Sequence, residues 1–572
     1  MKLPAPFGTV LLLIACLLPS AALASDNLRL RFNALDSGFP LMAADQPLKA
    51  TEPLQRFYQS QGFRLAWWQE GALSPQAREL LAAVDDAGDQ GLNPEDYHHA
   101  AIRARLDSAR DNTLAERARV DLDLLLSESF IVLAAHLSRG KVNPETIDPE
   151  WFAARHNQDL EHLLASALAE GTVRHHLAAL SPVHPQFRAL KEARSQLARL
   201  RQEPWPTLTA SGLIRPGQES ALIPDLRQRL RLLGDLKTGS VESAPSTAVE
   251  PSTGEEPSTE VPEPSAGEST PPASQPLDPS LTAALERFQN RHGLEPDGII
   301  GPATLAALNV TPEQRLKQLD VNLERWRWLP RHLGDRYVLV NIAGFTLSYV
   351  EGEKTVLKQR VIVGRDYRRT PVFSDQIRYL EFNPTWIVPP SLAVRDQLPQ
   401  IRNDPDYLQR LGFHVYSGWG AERETIDPAS VDWQSVSPRD FPYRLVQQPG
   451  PENALGQVKF MFPNRFNVYL HDTPARDLFR QANRAFSSGC VRVEDPMTLA
   501  QTLLGRDPSW TRERIDALVA SGRTQAVNLR ETVPVHIQYW TAWADEDGTL
   551  QLRRDLYNRD GPLGQALNAS VL

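Results

Sequence analysis

Cysteine is almost absent from this chain. Its 572 residues hold two, Cys16 and Cys490. Cys16 lies in an apolar leader, so an exported form would keep Cys490 alone, and an unpaired thiol there reads as free and reactive rather than as half of a disulfide. A basic excess is also missing. The net charge of −9 comes mainly from one stretch, 238–278, which carries seven Glu and Asp278 and no Lys or Arg. The remaining 62 acidic and 61 basic residues nearly cancel, which excludes the basic face of a nucleic-acid binder. No apolar run reaches the ~20 residues of a permanent membrane helix. Histidines occur in adjacent pairs (His98-His99, His175-His176) that point different ways on a helix, so metal-ligand spacing is lacking and packing roles are expected.

What is present begins with an export signal. Lys2 supplies the positive start, Val10–Leu18 the apolar run, and Ala22-Leu23-Ala24 a small-x-small cleavage site before Ser25. Residues 1–24 are therefore expected to be removed on export to the periplasm. Leu13-Ile14-Ala15-Cys16 offers a second reading, a lipoprotein anchor at Cys16.

Residues 25–212 read as a helical domain. Pro75–Val84, Ala115–Leu137 and Leu160–Ala169 carry apolar residues at three- and four-residue spacings, and Ser74-Pro75 forms a helix start. The stretch 238–278 is rich in Pro, Ser, Thr and Glu without aromatics, so it reads as an extended linker. Its flanks share a pattern. Ile223–Leu233 and Leu281–Phe288 are amphipathic, followed by His292-Gly293-Leu294, Asp297-Gly298-Ile299-Ile300-Gly301 and Thr304–Asn309. This pattern resembles the three-helix peptidoglycan-binding domain of cell-wall enzymes. It implies a module over 213–310, with the linker inserted between its first two helices and left-handed turns at Gly298 and Gly301. A connector is expected over 311–335.

From Arg336 the pattern changes to strands at Tyr337–Ile342, Thr346–Val350, Val356–Val363, Ile377–Phe382, Val458–Met461 and Asn467–Leu470. A mostly antiparallel β domain is expected over 336–510, interrupted by a polar insertion at 390–445 placed to act as a lid, with 511–572 packing on it as an extension. The whole chain is thus expected to be a multidomain α+β protein.

The chemistry gathers at the end of this domain. His471 closes a strand, 15 residues intervene, and Ser487-Ser488-Gly489-Cys490 follows. A thiol is a weak nucleophile at neutral pH until a base takes its proton. Gly489 allows a sharp turn that could aim backbone amides at an oxyanion. Arg492 falls on the same side as Cys490 in an extended segment, where it can hold an anionic group.

Tyr469-Leu470-His471-Asp472-Thr473-Pro474 and Phe486–Val493 resemble the catalytic motif of L,D-transpeptidases with a YkuD-type domain. Val363-Gly364-Arg365, Thr370–Phe373, Phe382-Asn383-Pro384-Thr385-Trp386, Asn453-Ala454-Leu455-Gly456 and Tyr539–Trp543 fit the same pattern. With the helical N-terminal scaffold and the split binding module, the chain resembles the large periplasmic class of Gram-negative bacteria. The resemblance implies a carbapenem-sensitive, penicillin-insensitive enzyme that forms 3→3 cross-links for cell-wall biogenesis and cell shape. Cys490 would be the nucleophile, His471 the base and later the acid, and Ser488 a supporting residue. Arg492, Tyr469, Ser487, Trp386 and Asn383 would bind substrate. No metal or cofactor is implied. The implied partners are peptidoglycan stems and strands, with wall synthases and D,D-carboxypeptidases on pathway logic. Hydrolysis at the same site, as an L,D-carboxypeptidase or endopeptidase, and a non-catalytic wall-binding scaffold are the other readings.

Overall fold

A computed structural model describes residues 18–108, 114–152, 158–237, 274–418 and 423–569. Most of the leader, with Cys16, and linker residues 238–273 lie outside the described residues. The expected cleavage site, Ala24/Ser25, falls within helix α1 (Leu18–Asp36). No described helix is long and apolar enough to cross a membrane. The chain divides into two compact units. One comprises Met1–Glu192, Lys317–Trp543 and Asp555–Leu572, the other Ala193–Leu316 and Ala544–Arg554.

In the first unit, α2 (Thr51–Ser60), α3 (Gln76–Gly88) and α5 (Leu160–Glu170) surround α4 (Glu116–Arg139). α4 is apolar on most sides, as a central helix must be. Two of its buried acidic residues are well satisfied. Asp123 accepts from the Tyr58 hydroxyl and the amides of Ala66 and Trp67, and Glu128 accepts from the Lys49 and Ala50 amides and meets His98 Nε2 at 2.7 Å. Trp67 is buried with its Nε1 on Ser127. These aromatic and histidine side chains hold the core together. Ser74 Oγ accepts from the Gln76 amide at the start of α3.

The second unit contains α6 (Ile223–Leu232), α7 (Pro279–Arg291) and α8 (Pro302–Leu308) around Leu226, Leu230, Leu285, Phe288 and Leu308. Glu219–Ser220 pairs with Gln275–Pro276, clipping together the chain on either side of the long inserted segment. The linker boundary expected at 278 is therefore too late. Asp278 caps α7 by accepting from the Leu281 amide, and it pairs with Arg227. Gly298 has φ +67 and donates its N–H to Gln289 Oε1; a Cβ there would meet Thr282 Cγ2 at 2.7 Å. Gly301, expected to need the same conformation, is extended at φ −100. It precedes Pro302 and makes the helix entry.

Back in the first unit, nine strands form one sheet. They are β1 (Arg336–Asn341), β2 (Thr346–Glu351), β3 (Lys354–Gly364), β4 (Phe373–Phe382), β5 (Val458–Met461), β6 (Leu470–His471), β7 (Ala485–Ser487), β8 (Val491–Val493) and β9 (Gln525–Gln538). Their order is β7-β3-β8-β6-β5-β4-β9-β1-β2, and β3 also pairs with β2, so the pairing runs full circle. Most neighbours are antiparallel; β6–β8, β3–β7 and β1–β9 are parallel. Val338, Val340, Val361, Val363, Leu380, Phe460 and Val535 fill the core, which α9 (Pro496–Leu504) covers with Leu499 and Leu503.

One expectation is overturned here. Residues 511–572 are not an appendage: β9 lies inside the sheet, between β4 and β1. The insertion carries its own small sheet, ordered Trp386–Ile387, Tyr443–Gln447, Phe413–Ser417, Thr425–Ile426, over a core of Val388, Ile401, Phe413 and Leu445. It therefore starts and ends a few residues outside 390–445. The N-terminal helical part is joined to the β domain by backbone: Phe152 N–H donates to Val372 O, and Val372 N–H to Glu150 O.

Candidate active site

Strand register puts the chemistry on one face. β6 and β8 run parallel with His471 opposite Arg492, and the Val491 amide donates to Tyr469 O. Side chains alternate along a strand. Tyr469 and His471 therefore share a face with Cys490 and Arg492. On the other side of β6, Lys459 of β5 lies opposite His471, and Glu381 of β4 lies opposite Lys459.

Cys490 follows a turn built by its neighbours. Gly489 has φ +117, a conformation that suits glycine. Its amide donates to Ser487 Oγ at 3.1 Å, and the Ser487 hydroxyl donates to Cys490 O. The Gly489 carbonyl accepts from Thr370 Oγ1 at 2.8 Å. Gly489 therefore serves the turn; its own N–H is already engaged and is not the oxyanion donor that the sequence suggested. Thr370 is anchored in turn. Its Oγ1 accepts from the Gly364 amide, its N–H donates to the Tyr557 hydroxyl, and that hydroxyl donates to Gly364 O. Tyr557 comes from the C-terminal segment, so the chain end braces the nucleophile turn. Gly364 has no room for a side chain, since a Cβ would lie 2.1 Å from Arg368 O.

The thiol is half-buried, forms no disulfide, and donates to Asn467 O at 3.8 Å. Burial pushes its pKa above the usual 9.0, opposed by a backbone hydrogen bond from Tyr469 and by the charges of Lys459 and Arg492. His471 is 4% exposed. Its Nδ1–H donates to Asp472 O at 2.5 Å, which leaves the lone pair on Nε2. Burial, with the nearby Arg492 charge, drives its pKa down to about 3. Thiol and imidazole thus both rest neutral. Alkylation of Cys490 by iodoacetamide is expected to rise with pH through a midpoint above 9.0, with no step near 6.5. A midpoint between 6 and 7 would mean instead a preformed thiolate–imidazolium pair.

Asp472 turns its side chain away from the ring. Its carboxylate accepts from the Gln457 and Thr473 amides and pairs with Arg476. Gly456 passes so close that a Cβ would meet Asp472 Cγ at 2.3 Å, which accounts for the glycine in Asn453–Gly456.

The other expected residues divide. Arg492 is half-buried, and its Nε has no partner among the described residues. Tyr469 lies under the Lys459 ammonium, 3.8 Å from ring centroid to Nζ. Ser488 is exposed and accepts from Arg368 Nη1 at 3.0 Å; Arg368 is held by both oxygens of Asp396, from the insertion. Trp386 packs on Phe413 in the insertion core. Asn383 points elsewhere. It has φ +46, and its amide donates to Leu518 O and Arg523 O, so it fastens the chain before β9 rather than facing substrate. A cavity of about 560 Å³ opens beside Ser488, lined by Arg368, Arg369, Arg395 and Tyr367 and, from the helical part, by Asp148 and Glu150. Among the described residues, no His, Cys, Asp and Glu cluster could hold a metal. Sequence reasoning missed Thr370, Tyr557 and Lys459. Lys459 left one faint signal, a charged residue inside the apolar strand Val458–Met461.

The site lies in a segment with known counterparts. Residues 335–535 match the L,D-transpeptidase catalytic domain, 265–308 a putative peptidoglycan binding domain, and 52–193 a scaffold domain. A "Putative L,D-transpeptidase" of Haemophilus influenzae is 39% identical over 251 residues, which is 44% of this chain and 49% of that protein. The chain thus spans about half the length of that relative. Two solved structures are similar at 11% identity. The Ldtfm–avibactam carbamoyl enzyme has TM-score 0.17, with 37% of this chain and 51% of that one covered. Mycobacterium tuberculosis L,D-transpeptidase 1 has TM-score 0.15, with 36% and 61% covered. Both likenesses are too slight to bear on the fold.

Proposed function

With an L,D-transpeptidase catalytic domain over 335–535 as premise, we propose that this protein cross-links peptidoglycan stem peptides in the periplasm through a thioester on Cys490. The observation that carries this reading is a free thiol on a braced turn, sharing a sheet face with a neutral histidine whose tautomer leaves Nε2 as acceptor.

His471 Nε2 takes the Sγ proton, and the thiolate attacks the carbonyl of the L-centre of diaminopimelate at position three of a tetrapeptide stem. The tetrahedral intermediate collapses as the C–N bond to D-Ala breaks, and His471 returns its proton to the leaving amine. The side-chain amine of a second stem then attacks the thioester, loses a proton to His471, and forms the new amide. Sγ departs and is reprotonated. The energy of the broken peptide bond is kept in the thioester, so no nucleotide enters. Arg492, with an unpartnered Nε on the reacting face, is placed to hold a stem carboxylate. The insertion, linked to the nucleophile turn through Asp396, Arg368 and Ser488, would close over the stem. The helical module of the second unit would hold glycan. Wall synthases and D,D-carboxypeptidases would supply strands and tetrapeptides.

Water in place of the acceptor amine would make the same site an L,D-carboxypeptidase. Product analysis on a purified disaccharide tetrapeptide separates the two. Cross-linked dimer with one D-Ala released per link is expected; D-Ala release without dimer would establish the hydrolase instead.

A further inference from the structure

Among the described residues, the reacting face carries a cation that the proposed chemistry leaves unused. Lys459 stands on β5 directly opposite His471. It is half-buried, and among the described residues its ammonium makes no hydrogen bond or ion pair. It lies over the face of Tyr469, 3.8 Å from centroid to Nζ, and Tyr469 is the residue beside Cys490 across the β6–β8 pairing. Burial lowers the pKa of Lys459, and Glu381, opposite it on β4, counters this without closing an ion pair. A desolvated ammonium held over an aromatic ring keeps its charge but lacks an anionic partner.

We propose that Lys459 is the electrostatic partner of the Cys490 thiolate, which its ammonium stabilises once the Sγ proton has passed to His471 Nε2. This rests on Cys490 being the nucleophile, as in the function proposed above. The S–H bond breaks, an N–H bond forms on the imidazole, and Lys459 keeps all its protons throughout. The pair it faces changes from thiol and imidazole to thiolate and imidazolium.

Of the other charged and titratable groups around the thiol, Arg492 alone acts in the same direction. Arg492, two residues beyond Cys490 on the adjoining strand, also favours the thiolate; burial and the neighbouring Arg365 disfavour its charge, and the thiolate favours it. His471 is neutral at rest. Tyr469 and Tyr379 are phenols, and Glu381 has the wrong sign. Electrostatic influence between Lys459 and Cys490 is mutual: the thiolate raises the pKa of the ammonium, and the ammonium lowers that of the thiol. Tyr469 holds Nζ in place, and the apolar neighbours Val458 and Phe460, both fully buried, fix the strand register that aims it.

The test is the rate of Cys490 alkylation by iodoacetamide against pH, read by site-resolved mass spectrometry on the full chain. Three folded variants are compared with wild type: Lys459→Met, Lys459→Gln and Lys459→Arg. The neutral variants are expected to move the midpoint up by half a pH unit or more, slowing alkylation at pH 8 by about 3-fold or more. Lys459→Arg keeps the charge and is expected to stay close to wild type. The glutamine variant stands in should the methionine variant not fold. A wild-type profile in either folded neutral variant would overturn the proposal, as would an equal shift in Lys459→Arg. The readout involves no peptidoglycan, so it stands or falls separately from the cross-linking reading, which the product analysis decides.

Discussion

Cys490→Ala is expected to abolish turnover of a disaccharide-tetrapeptide donor, by at least about 10⁴-fold, while leaving the protein folded. The size follows from what is removed. In the proposed reaction the acyl group is held on Sγ between donor and acceptor, and alanine leaves nothing there to carry it. The preserved fold follows from the surroundings. The thiol is half-buried, and the turn is held by groups that alanine keeps: Gly489 O on Thr370, Gly489 N–H on Ser487, and Cys490 O accepting from Ser487 Oγ. A stability loss of about 1 kcal/mol or less is expected. Turnover by product chromatography and a thermal melt on the same sample check both halves. Full turnover in the variant would mean that Sγ is not the nucleophile, and full cellular function without turnover would leave the wall-binding scaffold as the better reading.

His471→Gln is the second large effect, a fall of about 10²- to 10⁴-fold in kcat/KM. Glutamine can still donate an amide hydrogen toward Asp472 O, so the local bond can be retained while the base is lost. The pH dependence of the wild-type enzyme is part of the same expectation. The folded pKa of His471 is depressed from 6.5 to about 3, so the base form persists as pH falls through the ordinary histidine range. kcat/KM of the folded enzyme should therefore show no acid limb at 6.5. A limb there that vanished in His471→Gln would mean that the ring titrates normally and is solvated, contrary to its burial.

Much of this was legible in the sequence because it is local. Apolar spacing located α3, α4 and α5 to within a few residues, and β-branched runs located β1 to β3. The Cys490 motif carried its chemistry in adjacent positions. What could not be read depends on pairing across long sequence distances. β9 alternates exposed charged residues such as Arg530 and Glu531 with buried ones and contains Pro534, so it resembles a surface segment. It is central only because β1 pairs with it in parallel from almost 200 residues away. Lys459 looks like a solvent-facing residue until β5 is set against β6. Asn383 sits in a motif rich in site residues, yet its left-handed backbone and its bonds to Leu518 and Arg523 commit it to the fold. The inserted segment was recognisable by composition, but its end was not. Composition does not reveal that Gln275–Pro276 pairs with Glu219–Ser220 or that Asp278 caps a helix.

The central claim is that Cys490 is an acyl-accepting nucleophile, and intact mass after incubation with a carbapenem tests it most directly. The expected result is a single covalent adduct on the wild-type protein, mapped to the peptide containing Cys490 and absent from Cys490→Ala. No adduct on a folded wild-type protein, or an adduct that persisted in the alanine variant, would contradict it.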